Sequence, residues 1–156
     1  MGAAGPVRRR AGVIAVREGS VALIERHRGG RQYWVVPGGG IEPGETIPEA
    51  AAREGREELG VPVTVGALLV ELSAPYLNGT PGHHYYFEAT VASTEIRIDG
   101  PELDNPQSSG TYRAVWVRLE DVPSLDVRPP EIAELIARYG EGDWPERLVV
   151  RATEAF

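Results

Sequence analysis

Cysteine is absent from the 156-residue sequence, which removes disulfides, thiolate zinc sites and cysteine nucleophiles and fits a reducing, cytoplasmic setting. Lysine is absent too, since all 16 basic side chains are arginine. Without it there is no lysine Schiff-base chemistry and no P-loop, whose GK[ST] sets an ammonium on the phosphates. No run approaches the ~20 consecutive apolar residues that cross a bilayer. The short apolar stretch 11–16 behind Arg8, Arg9 and Arg10 is too brief for a secretory h-region. Neither a membrane partner nor a targeting segment is expected. An excess of positive charge is also missing. The 16 basic against 23 acidic residues leave a net charge of −7, a field that repels nucleic-acid polymers unless a bound cation reverses it locally.

At roughly 150 residues per domain, residues 1–156 are expected to form one domain, with 1–9 as a flexible N-terminal segment. The 19 glycines and 13 prolines point to many tight turns between short elements. Residues 11–16 and 21–24 are apolar runs separated by Arg17-Glu18-Gly19-Ser20, the pattern of a hairpin with a glycine-bearing turn. A third strand is expected over 32–36. The following Pro37-Gly38-Gly39-Gly40 and Glu42-Pro43-Gly44-Glu45 read as a loop through which no regular element runs.

Thr46 then offers an N-cap, with Pro48 in the first turn and Glu49 placed for a capping box. This helix is expected to run to Leu59 and stop at Gly60, with Pro62 barring continuation. Further strands are expected over 63–72, 83–91, 96–98, 111–117 and 148–150, with a second helix over 129–139. In the strand 83–91, Tyr85, Phe87, Ala89 and Val91 should share one face and His84, Tyr86, Glu88 and Thr90 the other, with the strand half-buried. Strands interrupted by two helices make an α+β fold with a mixed sheet.

The chemistry concentrates on the first helix. At about 100° per residue, Glu54, Glu57 and Glu58 share a narrow arc, while Ala52, Gly55 and Leu59 fall on another that can face the sheet. Like charges at these spacings repel, and acids in a last turn oppose the helix dipole. Hard divalent cations such as Mg²⁺ or Mn²⁺ prefer carboxylate and carbonyl oxygens and would offset that repulsion, leaving positions for phosphate oxygens. The bland alternative is a solvated helix with Glu49–Arg53 and Arg53–Glu57 pairs.

Gly39-Gly40-Ile41-Glu42-Pro43-Gly44-Glu45, seven residues, then Arg53-Glu54-Gly55-Arg56-Glu57-Glu58-Leu59-Gly60-Val61 resembles the Nudix box, G-x5-E-x7-R-E-U-x-E-E-x-G-U, over 23 residues. Gly55 departs, standing where the pattern has an apolar side chain. The resemblance implies a Nudix-type α/β/α sandwich and hydrolysis of a nucleoside diphosphate linked to another group, with Mg²⁺ or Mn²⁺ as cofactor. It also implies Glu54, Glu57 and Glu58 as metal ligands together with the backbone carbonyl near Gly38. Arg53 and Glu45 would pair to fasten loop to helix, with Gly39, Glu45 and Gly60 as structural members of the box. Glu54, Glu57 and Arg53 are the expected catalytic residues. Several such enzymes add an acid from a later loop, which makes Glu102 the first candidate and Asp104 the second.

Arg26, Arg28 and Arg31 are candidates for binding substrate phosphates, arginine being suited to bidentate contacts. Tyr33, Tyr76, Tyr86 and Trp116 are candidates for stacking on a base. His83 and His84 receive no role, because neighbours on a strand face opposite ways. Pro75 and Tyr76 stand about where ADP-ribose and dinucleoside polyphosphate members carry proline and tyrosine respectively. Nucleoside triphosphates, ADP-ribose, nucleotide sugars and dinucleoside polyphosphates therefore all stay open as small-molecule substrates. Homodimers are frequent among such proteins. A non-catalytic nucleotide sensor of the same fold is the alternative, though sensors usually lose box glutamates and this chain keeps them. A Nudix-fold isomerase that uses a cysteine is disfavoured by the lack of one.

Overall fold

A computed structural model describes residues 7–76, 78–96 and 111–152. The chain order is β1 (Arg8–Arg17), β2 (Ser20–Arg28), β3 (Arg31–Val35), β4 (Gly38–Gly40), α1 (Ile47–Leu59), β5 (Val63–Pro75), β6 (Pro81–Val91), β7 (Thr111–Arg118), β8 (Val127–Arg128), α2 (Pro130–Tyr139) and β9 (Leu148–Arg151), with a 3-10 turn over Leu119–Ser124 before β8. The strands form one mixed sheet in the order β8-β3-β2-β1-β6-β5-β9, with β4 added to β1 and β7 to β2. α1 covers one face through Ala50, Ala51 and Leu59 packed with Ala11, Val13, Ile24 and Phe87. α2 and the 3-10 turn cover the other through Ile132, Ile136 and Val122 packed with Ile14, Leu23 and Leu72. This is the α+β sandwich that the pattern of elements led to.

The β1–β2 hairpin closes with Arg17 opposite Ser20, and both turn residues, Glu18 (φ 51°) and Gly19 (φ 78°), are left-handed. A two-residue turn of this hand matches the twist of the strands it joins. α1 carries its expected capping box, Thr46 Oγ1 accepting from the Glu49 N–H at 3.2 Å and Glu49 Oε1 accepting from the Thr46 N–H at 2.8 Å. The helix ends at Gly60 in the left-handed region (φ 71°), whose N–H reaches the Arg56 carbonyl at 2.9 Å.

Several expectations need correction. Gly38–Gly40 is not loop but the strand β4, antiparallel to β1 with Gly38 opposite Gly12 and Gly40 opposite Arg10. The two backbones approach so closely that a Cβ on Gly38 would stand 2.8 Å from the Ala11 carbonyl oxygen and the Gly12 Cα. Glycine permits the pairing. Arg8 and Arg9, assigned to a flexible N-terminal segment, open β1 instead, because β6 pairs with them in parallel at Gly82 and His83. On β6 the buried face changes along the strand: His84 and Tyr86 are buried in its first half and Phe87, Ala89 and Val91 in its second. Packed layers lie on both sides, so simple alternation fails. Ile96 lies outside any strand, its N–H bonded to the Thr94 carbonyl at 3.0 Å, while 97 and 98 fall outside the described residues.

The apolar side of α1 is also shifted by one position, with Ala51 rather than Ala52 buried beside Gly55 and Leu59. Gly55 explains its own departure from the box. A Cβ there would sit 3.2 Å from Val13 Cγ2 and 3.4 Å from Val63 Cγ1, so two valines fill the space a larger residue would use. Gly55→Ile is expected to destabilise the fold by about 1–3 kcal/mol through overpacking, checked by urea unfolding. Unchanged stability would show that α1 can move off β1.

Candidate active site at the glycine bend

The site grows from the close approach of β1, β4 and α1. Arg53, in the middle of α1, reaches across to the bend with its whole guanidinium. Its Nε and Nη2 donate to the two Glu45 carboxylate oxygens at 2.6 and 3.1 Å, and Nη2 also donates to the Gly40 carbonyl at 2.9 Å. On the other side Nη1 donates to Glu54 at 2.9 Å and Glu57 at 3.3 Å. The planar fork of arginine satisfies these directions together. The Arg53 hydrogen bonds hold the Glu45 carboxyl below its usual range. Glu45 also accepts from the Glu42 N–H at 2.9 Å, which closes the loop on itself.

The three box acids occupy distinct settings. Glu54, with a side chain 16% exposed, packs its carboxylate against Gly39, where an added Cβ would collide with it. Glu57 is 54% exposed and touches only Arg53 in the contacts described. Glu58 turns inward and accepts from the Gly38 N–H at 3.3 Å. Burial pushes the Glu58 carboxyl up to about 8, and the neighbouring Glu54 charge adds to this, while the Gly38 N–H, Arg10 and Arg26 draw it back.

Among the described residues, no three carboxylates or imidazoles already surround one point as a closed metal cage. The donors nonetheless fit a hard divalent cation. They are all oxygens, as Mg²⁺ and Mn²⁺ require. The Gly39 notch keeps Glu54 at the bend, and the inward Glu58 carboxyl gains from any added positive charge beside it. Glu54, Glu57, Glu58 and the Gly38 carbonyl would hold such an ion.

A cavity opens beside the bend. Arg10, Gly38 and Gly39 line it together with His84 and Tyr86 from β6 and with Arg128 and Pro129. Arg10 Nη2 donates to the Gly38 carbonyl at 3.1 Å. Burial holds the His84 imidazole down at about 4, helped by the Arg10 and His83 charges, so it is neutral at pH 7. Arg128 is steadied by Asp126, at 3.2 and 2.9 Å, and lies 4.1 Å over the Tyr33 ring.

Of the proposed substrate arginines, the structure brings Arg26 toward the site, where its charge is felt at Glu58 and it faces the Tyr112 ring at 5.6 Å. Arg28 and Arg31 pair across the exposed end of the β2–β3 hairpin and make no described contact with the box. Tyr76 directly follows β5, its ring 5.9 Å from that of His84 and 4.6 Å beneath the Arg8 guanidinium. Trp116 instead donates to the Thr94 carbonyl at 2.7 Å. His83 and His84 do face opposite ways, His83 toward Glu71 at 3.1 Å and His84 into the cavity. Glu102 and Asp104 lie outside the described residues.

Sequence reasoning missed Arg10, Arg128 and the cavity role of His84. Arg10 and His84 become neighbours only through the parallel β1–β6 register, a long-range pairing that no local pattern announces. The one available signal was a triple arginine directly ahead of an apolar strand.

Comparison with known proteins places the chain among known sequences and folds. The family model described as NUDIX domain matches residues 6–139. A human diphosphoinositol polyphosphate phosphohydrolase 3-alpha is 35% identical over 131 residues, covering 83% of this chain and 74% of its own. An RNA pyrophosphohydrolase of Erythrobacter litoralis is 32% identical over 130 residues, covering 74% and 77% respectively. Among solved structures, a MutT NUDIX hydrolase from Burkholderia pseudomallei superposes with a TM-score of 0.65 at 27% identity, over 82% of this chain and 95% of that one.

Proposed function

The chain belongs to the Nudix domain family and is a hydrolase acting on phosphoric anhydrides, and from that premise we propose that it cleaves the diphosphate linkage of a small phosphate-rich molecule with the help of Mg²⁺ or Mn²⁺. The substrate class is a nucleoside diphosphate linked to another group: a nucleoside triphosphate, ADP-ribose, a nucleotide sugar or a dinucleoside polyphosphate. The human relative's name adds diphosphoinositol polyphosphates to the compounds worth assaying. The observation that carries this reading is the joining of acids and cavity: Arg53 ties Glu45, Gly40, Glu54 and Glu57 together, and the bend they form opens on a cavity flanked by Arg10 and Arg128.

The reaction is attack of water on one phosphorus, with breakage of the bond to the bridging oxygen and departure of a phosphate group. A divalent ion, when bound, supplies charge that neutralises the phosphoryl oxygens and makes water more acidic. Glu54, Glu57 and Glu58 would hold the ion. Arg53 keeps Glu54 and the bend in register, a positioning role worth much where misplacement by an ångström is costly. Arg10, Arg26 and Arg128 offer guanidinium donors to the phosphate oxygens that do not react. A carboxylate takes the proton of the attacking water, and we assign this to a box acid or to Glu102. Such a reaction on small anions suits a cysteine-free protein of reducing cytoplasm. No helix among the described residues is long and apolar enough to cross a membrane.

A panel of these diphosphates, assayed with Mg²⁺, with Mn²⁺ and with chelator, tests the reading by product mass. Cleavage that needs metal and places one solvent oxygen in a product phosphate is expected. A panel left uncut with metal present would put the non-catalytic sensor in its place.

A further inference from the structure

Arg10 stands between the bend and the cavity. It lies on β1 opposite Gly40 on one side and His84 on the other, and its Nη2 donates to the Gly38 carbonyl at 3.1 Å. That carbonyl is the oxygen the site would offer a cation along with the box acids. A guanidinium and a divalent cation repel, and both seek the same oxygen, so they compete for it. Arg10 has somewhere to go. It already lines the adjoining cavity with His84, Tyr86 and Arg128, and a guanidinium carries more donors than the single carbonyl uses. Among the described residues, the other arginine lining this cavity, Arg128, is engaged with Asp126 and the Tyr33 ring, whereas Arg10 gives up one described hydrogen bond and its attraction to Glu58 in turning.

Building on the metal reading above, we propose that Arg10 is a metal-released anion-binding residue: a divalent cation taking the Gly38 carbonyl displaces the guanidinium into the cavity, where it binds a phosphate group of the substrate. Metal and anion then favour one another. Linkage makes the effect reciprocal, so whatever factor the metal adds to anion affinity the anion adds to metal affinity.

The test is Mn²⁺ binding, followed by the resonance of the free ion, with and without sulfate, a tetrahedral dianion that binds manganese weakly. In the wild type, sulfate is expected to tighten Mn²⁺ binding about fivefold or more, within the usual range of such couplings. Arg10→Met is expected to bind Mn²⁺ alone several-fold more tightly than wild type, its competitor gone, and to lose most of the sulfate effect. Arg26→Met removes another charge felt at Glu58 without freeing the Gly38 carbonyl, and its gain in Mn²⁺ affinity should be smaller. If Arg10→Met does not fold, Arg10→Gln, also uncharged, carries the same comparison. An Arg10 variant that gains no Mn²⁺ affinity, gains only as much as Arg26→Met, or keeps the full sulfate effect overturns the inference and leaves the metal reading standing. Absence of Mn²⁺ binding by the wild type overturns both.

Discussion

Glu57→Gln is expected to slow metal-dependent diphosphate hydrolysis by a hundredfold or more, about 2.7 kcal/mol of transition-state stabilisation, while barely changing the melting temperature. The two outcomes separate because Glu57 contributes little to the fold. Its side chain is 54% exposed, and its described contact is a single 3.3 Å bond to Arg53, an exposed i,i+4 pair of the kind that adds at most a few tenths of a kcal/mol. Glutamine preserves shape and a carbonyl oxygen but removes the charge that a hard cation needs. Kinetics over a range of Mg²⁺ concentration, with thermal melting alongside, checks both halves. A variant with wild-type turnover at saturating metal would remove Glu57 from the ligand set.

Arg53 should show the opposite combination, losing fold and activity together. Arg53→Met keeps the alkyl stem and deletes the guanidinium, so Glu45, the Gly40 carbonyl, Glu54 and Glu57 lose a shared partner. The remaining carboxylates then repel one another without an intervening cation. The melting temperature is expected to fall by roughly 5 °C or more, judged by the size of shifts typical for a chain of this length. Activity is expected to fall about a hundredfold, because the bend that places Glu54 is no longer tied to α1. Arg53→Lys should recover little of either. A single ammonium cannot span Glu45 on one side and Glu54 on the other as the flat fork does. If Arg53→Lys melts and turns over like wild type, charge alone holds the bend and the geometric argument fails.

The contrast between these two residues reflects what the sequence makes legible. Local chemistry was readable. Thr46 and Glu49 announced the start of α1, Gly60 its end and Glu18-Gly19 the first hairpin, because each depends on residues within a few positions. The resemblance to the Nudix box likewise implied that Arg53 would meet Glu45, and the two do pair. What escaped depends on distant pairing. The glycines at 38–40 read as a loop because glycine disfavours strands on its own, yet β1 recruits them through Gly12 and Arg10. The same pairing brings Arg10 to the Gly38 carbonyl. Alternation along β6 does not say which face is buried, and packing on both faces of the sheet buries His84 as well as Phe87. Gly55 departs from the apolar position of the box and is a fit to Val13 and Val63. In each case the sequence supplied the residue and the tertiary register supplied its neighbour.

Crystals grown or soaked with Mn²⁺ and measured for its anomalous scattering put the central claim to the most direct test. The account predicts a peak within coordination distance of Glu54, Glu57 or Glu58, beside the Gly38 carbonyl and at the mouth of the cavity. Manganese bound only elsewhere on the protein, or nowhere, would contradict it.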